Sequence, residues 1–412
     1  MPKIWTNPGD SQDSGLRDVA IVGVGATPYY RRGESTGKSI TQLAGEAILA
    51  ACADAGLSVR QIDGFAYYSG AGAGYGDKME SVDFMETLGI PEVRFSASLT
   101  NGGGGSAGAI GLARAALVAG DASVVVTVMA LQQHKQRLGT VIAAKPVTPI
   151  SSFLQPSGLA GPGHLMSVLA RRHMHQYGTT RDAFAEIAVS TRQNALNRPK
   201  ALQRTPLTRD EYFRGRMIAE PLCVYDFCLE TEGAVAVITT SIDHARDLRQ
   251  RPVPVVAVAH GGTREWGRGF SWYGMPDETF TSSGHKSIAG HLYKQAGITP
   301  QDIDVALIYD HFTPMVLMQL EDYGFCDKGD GGPFVESGAI RYSRRRKPGS
   351  IAVNPHGGQL SEAYVIGMTQ IVEGVEQMRG TAINQVADAE FALCTGGPAS
   401  LPVSGLILGR DR

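Results

Sequence analysis

Strong charge of either sign is missing from this chain of 412 residues, whose net charge is only −2. A field that would draw in nucleic acid or an anionic membrane is therefore not expected. Long apolar runs are also missing. None approaches the ~20 residues that a bilayer span needs, and residues 1–17 are polar, with no apolar signal region. Cysteine is scarce, with five residues at Cys52, Cys223, Cys228, Cys326 and Cys394. No two of them have zinc-ligand spacing, so no metal site is expected. An odd number spread over a long chain also argues against a disulfide framework. This usage fits a reducing cytoplasm.

Apolar residues are plentiful at 43%, enough for a large core, and the 51 glycines are clustered. The clusters fall where an apolar stretch ends or a helical pattern begins, which is where active-site loops of α/β proteins lie. The length suggests two or three domains. Buried strands are predicted at 18–25, 62–69, 94–98 and 123–129, and helices at 39–55, 81–88 and 107–119. In the first helix Ile40, Leu43, Ala44, Ala47 and Ile48 share one side. Strands alternating with helices indicate an α/β half. Residues 131–216 break this rhythm and read as an insertion that covers one face, after which a strand at 233–239 closes the half. The theme then repeats, with strands at 253–259, 303–308, 350–353, 391–394 and 401–408 and helices at 283–296, 315–323 and 361–378. The chain thus reads as an internal duplication, with an N-terminal half at 1–245 and a C-terminal half at 246–412.

Six segments stand out: VAIVGVGATPYYRR near the start, GGGGSAGAIGLARAALVAG from Gly102, PLCVYDFCLETEGAVAVI from Pro221, DIDVALIYDHF from Asp302, NPHGGQLSEAY from Asn354, and CTGG from Cys394. Together and in this order they resemble the thiolase superfamily, in particular its branch of sterol-carrier-protein thiolases and lipid-transfer proteins. The resemblance covers residues 18–409. It implies the thiolase fold: two similar α/β halves with mixed sheets stacked in five layers, α-β-α-β-α.

The departures carry more information. In thiolases of this family the helix after the first glycine-rich turn opens with the nucleophilic cysteine, and here that place falls on Gly103. The sterol-carrier branch has His-Asp-Cys-Phe where this chain has Tyr309-Asp310-His311-Phe312. It has Gly-His-Pro where this chain has Ala363-Tyr364-Val365. The nucleophile is gone, and two histidine positions have become tyrosines.

A thiolase holds its acyl group on cysteine and stabilises a thioester enolate in a polar pocket. Retro-aldol cleavage of a 3-hydroxyacyl-CoA needs only the second function. Tyr309 and Tyr364 are the expected catalytic residues, projecting into one pocket. Free tyrosine, with a pKa of about 10, is a good proton donor and a base only when perturbed. The plainer reading is that each fills space beside a glycine turn. His311 stands where the branch keeps an acid/base cysteine, and it either relays a proton or holds Tyr309. Asp310 is expected to orient the turn. Cys394 matches the acid/base cysteine of degradative thiolases but is equally a packing residue at a strand end. On the substrate side, Gly103 and Gly104 are expected to offer backbone N–H groups at a helix start, or simply to make a tight turn. His356, Gly357 and Gly358 form a second turn, from which His356 can donate to the thioester oxygen. The missing side chain at Gly103 is expected to open room for a bulky substrate. The basic run Arg344–Lys347 reads as a solvated turn, or as a contact for CoA phosphates or an acidic partner.

The resemblance implies a lyase similar to the bacterial aldolases that shorten steroid side chains. The expected reaction cuts a 17-hydroxy steroid side-chain CoA thioester into a 17-keto steroid and a short acyl-CoA. CoA belongs to the substrate and no other cofactor is expected. The implied assembly is a homodimer core with a small partner on each side, a heterotetramer. The partner combines an OB fold with a zinc ribbon and is often part of a hydratase. Two other readings stay open: an acyltransferase that borrows a nucleophile such as Cys394, and a non-catalytic acyl-CoA or lipid carrier or scaffold.

Overall fold

A computed structural model describes residues 19–68, 79–99, 102–133, 152, 155–159, 161–262, 280–398 and 402–411. Residues 1–18, Asn101 and residues 134–151 of the expected insertion lie outside the described residues. In the N-terminal half the strands are β1 (Val19–Ala26), β2 (Tyr30–Arg31), β3 (Gly64–Tyr68), β4 (Phe95–Leu99) and β5 (Val124–Leu131). A short hairpin, β6 (Met217–Ala219) and β7 (Leu222–Cys223), precedes β8 (Thr231–Ser241). The later strands are β9 (Val253–Gly261), β10 (Val305–Leu307), β11 (Ala352–Val353), β12 (Phe391–Gly396) and β13 (Val403–Gly409).

The strand order shows the duplication. The sheet runs β11-β10-β12-β13-β9-β1-β8-β5-β3-β4. On the N-terminal side β3 pairs parallel with β4 and β5, while β8 pairs antiparallel with β5 and β1. On the C-terminal side β10 pairs parallel with β11 and β12, and β13 pairs antiparallel with β12 and β9. The two five-stranded arrays therefore have one topology. Among the described strands they join where β1 meets β9, at Ala20–Pro254 and Ile21–Val253.

Period-two alternation sorts the side chains into layers. Val19 and Ile21 of β1 point into a middle cluster with Val305 and Leu307 of β10 and Leu406 and Leu408 of β13. Ala20 and Val22 point the other way, onto helix Ile40–Ala55. Ala306 of β10 and Ile308 just beyond it face the opposite outer layer, with helices Gly284–Ala296 and Thr313–Asp322. Helices Gly105–Ala119 and Met368–Arg379 supply the middle cluster between the two arrays. The result is the five-layer α-β-α-β-α stack.

The cover segment contributes helices Pro162–Tyr177, Arg181–Ala195 and Arg209–Phe213. Met166, Leu169, Phe184, Ile187 and Tyr212 from them join the outer cluster of the C-terminal half. No helix among the described residues is long and apolar enough to cross a membrane.

Two of the boundaries that differ from expectation bear on the site. The helix expected at 315–323 begins at Thr313, with Pro314 in its first turn, where a missing N–H leaves no bond unmade. The helix expected at 361–378 begins only at Met368. Residues Gly358–Glu362 form a wide turn instead, Ala363 is extended, and Ile366 and Gly367 have positive φ. Their apolar periodicity is that of a buried loop, not of a helix.

Candidate active site

β10 is a three-residue strand between two parallel neighbours, and its ladder ends at Leu307, although β12 runs on to Gly396. Side chains from those neighbours extend the ladder. Asn354, just after β11, accepts from Ile308 N at 2.8 Å and donates to Ile308 O at 3.0 Å. Thr395 of β12 accepts from Tyr309 N at 2.8 Å, and Gln319 donates to Tyr309 O at 3.0 Å. Buried N–H and C=O groups must be paired somewhere, and here the pairing fixes the chain that carries Tyr309.

The Tyr309 ring lies over the start of helix Gly105–Ala119. A Cβ built on Gly103 would overlap Cζ and come within 2.5 Å of Oη and 2.8 Å of Cε2. The volume a side chain would need at Gly103 is thus filled by Tyr309. The expectation that Gly103 opens space for a bulky substrate is overturned, because a phenol delivered from β10 occupies that space. Gly104 is small for a related reason: its Cβ would come within 2.9 Å of the Pro402 carbonyl carbon.

Tyr364 reaches the same point from the opposite turn. Its hydroxyl lies 3.3 Å from that of Tyr309, and either can donate. Thr231 at the start of β8 holds the Tyr364 backbone on both sides, accepting from its N at 2.9 Å and donating to its O at 2.8 Å. Both phenols are buried. The helices that begin at Gly105 and Met368 follow the corresponding strands β4 and β11 of the two halves, and both start at this pair. Neither has a side-chain cap, so their positive ends favour negative charge that develops here. Gly367, at φ 86, lets the second helix approach: its Cβ would stand 3.1 Å from Tyr309 Cδ2 and 2.8 Å from Ser106 Oγ.

Asp310 is turned away from the phenols. It accepts from Gln359 N at 2.8 Å, Leu360 N at 3.3 Å and Gln370 Nε2 at 3.1 Å, and so clamps the second glycine turn. Burial raises its carboxyl to about 6, against the pull of these donors. Gly358 has φ 57, and a Cβ there would overlap the Asp310 carboxylate, 2.7 Å from Cγ. Gly357 backs onto Ala195 of the cover segment. His356 is fully buried, and neither ring nitrogen has a hydrogen-bond partner among the described residues. Burial, and then Arg198, push its pKa well down. Its Nε2 lies 4.0 Å from Glu362.

His311 packs on Tyr309 with ring centroids 4.9 Å apart. Its Nδ1 is 3.4 Å from Tyr309 O, while Nε2 has no partner among the described residues. Burial lowers its pKa to about 3, so the ring is neutral. With Nδ1 as donor to that carbonyl, Nε2 offers a lone pair. Cys394 points elsewhere. Its Sγ lies 3.6 Å from Gln370 O, against Gly374 in the middle layer. Burial, and then Glu373, push the thiol well above its ordinary range. Asn354, Thr395, Thr231 and Gln319 have no role that the sequence alone assigns. The first three lie inside segments that stand out, but their role depends on neighbours that only the topology supplies.

Residues 19–241 match the family description "Thiolase, N-terminal domain", and residues 271–409 match "Thiolase C-terminal domain-like". The chain is 39% identical over 403 residues to the 17-hydroxy-3-oxo-4-pregnene-20-carboxyl-CoA lyase of Mycobacterium tuberculosis, covering 95% of this chain and 99% of that protein. It is 36% identical over 406 residues to the steroid side-chain-cleaving aldolase of Thermomonospora curvata, covering 96% and 98%. A solved structure described as "Ltp2-ChsH2(DUF35) aldolase" superposes with a TM-score of 0.86 at 36% identity, covering 97% of this chain and all of that one.

Proposed function

The chain belongs to the thiolase family, and from that premise we propose that it is a carbon–carbon lyase that cleaves a 3-hydroxyacyl-CoA by a retro-aldol reaction. The substrate is a 17-hydroxy steroid side-chain CoA thioester, and the products are a 17-keto steroid and a short acyl-CoA. The observation that carries this reading is the phenol of Tyr309 standing where a side chain at Gly103 would be, hydrogen-bonded to Tyr364. Acyl transfer needs a nucleophile at that place. Retro-aldol cleavage needs proton transfer and enolate stabilisation there instead.

One of the paired tyrosines, as its phenolate, takes the proton of the substrate hydroxyl, the Cα–Cβ bond breaks to leave the ketone, and its electrons pass to the thioester as an enolate. The other tyrosine donates to the enolate oxygen, and the proton just taken is delivered to Cα, which releases the acyl-CoA and restores the phenolate. The helix starts at Gly105 and Met368 face the charge that develops. His311, neutral and packed on the Tyr309 ring with Nδ1 toward the Tyr309 carbonyl, holds that phenol in place. His356, Gly357 and Gly358 shape the thioester side of the pocket. The buried, strongly protonated thiol of Cys394 does not support an acyltransferase reading.

The proposal includes a homodimer core and a cytoplasmic location. It also includes a small OB-fold and zinc-ribbon partner. The two-protein description of the similar solved structure supports an assembly of that kind. The test is a product assay with the partner co-expressed and the 17-hydroxy thioester supplied. The 17-ketone and short acyl-CoA are expected from wild type and not from Tyr309→Phe or Tyr364→Phe. Tight acyl-CoA binding without cleavage would replace the lyase with a carrier.

A further inference from the structure

Tyr309 is held by a closed ring of hydrogen bonds that includes no reacting group. Tyr309 N donates to Thr395 Oγ1 at 2.8 Å, and Thr395 Oγ1 donates to Gln319 Oε1 at 2.6 Å. Gln319 Nε2 then donates back to Tyr309 O at 3.0 Å and to Met315 O at 2.9 Å. Every proton in the ring has one direction. Thr395 accepts one bond and donates one, and the Gln319 amide is thereby oriented with its oxygen toward Thr395. Thr395 comes from β12 and Gln319 from helix Thr313–Asp322, so two elements meet on one backbone unit. Both side chains are buried.

We propose that Thr395 and Gln319 are positioning residues for the lyase reaction, setting where the Tyr309 phenol stands over Gly103 and against Tyr364. The inference rests on the reading of Tyr309 as an acting group. The close approach at Gly103 and the 3.3 Å contact with Tyr364 leave the ring little freedom to move without losing one or the other. Misplacing an acting group by about 1 Å can cost on the order of 100-fold in rate. Asn354 grips the backbone of Ile308, one residue earlier, so the grip on Tyr309 N itself comes from Thr395.

Two measurements test this on the full chain with its partner. The first is steady-state cleavage by Thr395→Val, Thr395→Ser and Gln319→Met. Thr395→Val, close to threonine in shape but without the hydroxyl, is expected to lose on the order of 100-fold in kcat with KM nearly unchanged, because the loss is in the transition state and not in binding. Thr395→Ser restores the ring and is expected to stay close to wild type. The second measurement is the 19F resonance of 3-fluorotyrosine placed at 309, with Tyr67, in the outer cluster of the N-terminal half, as control. Thr395→Val and Gln319→Met are expected to shift or broaden the 309 signal and leave the 67 signal alone. An unmoved 309 signal in folded Thr395→Val overturns the proposal whatever the rate does. Equal loss in Thr395→Val and Thr395→Ser also overturns it, since that would reflect packing alone. If wild type itself fails to cleave the thioester, the functional reading fails, while the fluorine signal still reports whether the ring holds Tyr309.

Discussion

A methyl group at Gly103 would have nowhere to go. The atoms it would strike belong to a tyrosine whose backbone is tied on both sides, so the phenol can yield only by rotating away from Tyr364. Gly103→Ala is therefore expected to fold, with an overpacking cost of about 1–3 kcal/mol. It is also expected to lose on the order of 100-fold in cleavage rate. Gly103→Cys restores the residue of the acyl-transferring relatives but meets the same ring, so no acyl-enzyme should be trapped from a labelled acyl-CoA. Mass spectrometry of the quenched protein decides this, and a stoichiometric acyl adduct on the introduced thiol would mean that the ring moves aside freely. The lost cysteine and the gained tyrosine are in this sense one change, made at two positions far apart in the sequence.

At the scale of elements, the segment from Asn354 to Met368 decides the shape of the site. Its glycines, its histidine and Tyr364 are legible in the sequence, and so is the strand before it. The turn itself is not, because the apolar residues between Leu360 and Met368 mimic a helical stripe. Asp310, from another strand end, pins the start of the turn by taking the N–H groups of Gln359 and Leu360, and the positive φ of Ile366 and Gly367 breaks the helical path before Met368. The meeting of Tyr309 and Tyr364 follows from the resemblance. The filling of Gly103's space does not, since sequence separation hides which atoms fill a gap. Gly358→Ala tests the turn. An alanine at φ 57 costs about 1–2 kcal/mol from backbone conformation alone. Displacing the Asp310 carboxylate adds the loss of a charged hydrogen bond, roughly 1.5–3 kcal/mol. A total of about 2.5–5 kcal/mol is expected from urea unfolding. In an Asp310→Ala background the second part should vanish, leaving about 1–2 kcal/mol. An undiminished cost there would mean that the backbone strain alone governs the turn.

Across the whole molecule, a buried ion cluster ties the cover segment to the C-terminal half. Arg198, just past helix Arg181–Ala195, pairs with Glu362 at 3.1 Å, Glu373 at 3.2 Å and Glu376 at 3.3 Å. Burial alone would lower the arginine's pKa, but the three carboxylates raise it above its ordinary value. Burial raises Glu362 to about 7 even though Arg198 opposes it, and it raises Glu373 as well. The sign follows from proton counts. Between the ordinary glutamate value of about 4.3 and about 7, the folded chain holds a proton on Glu362 that the unfolded chain has released. Stability from this group is therefore full at low pH and is lost as pH rises through about 7. Arg198→Met removes the charge that limits the loss, so Glu362 and Glu373 titrate higher still and the window widens upward. Its deficit against wild type should be small near pH 5, where the carboxyls are protonated with or without arginine. It should approach the roughly 3–5 kcal/mol typical of a broken buried pair above pH 8. Urea unfolding of both proteins at pH 5 and 8.5 reads the difference directly. Equal deficits at the two values would show that the arginine acts by packing and not by charge, and that the join between cover and core does not depend on protonation.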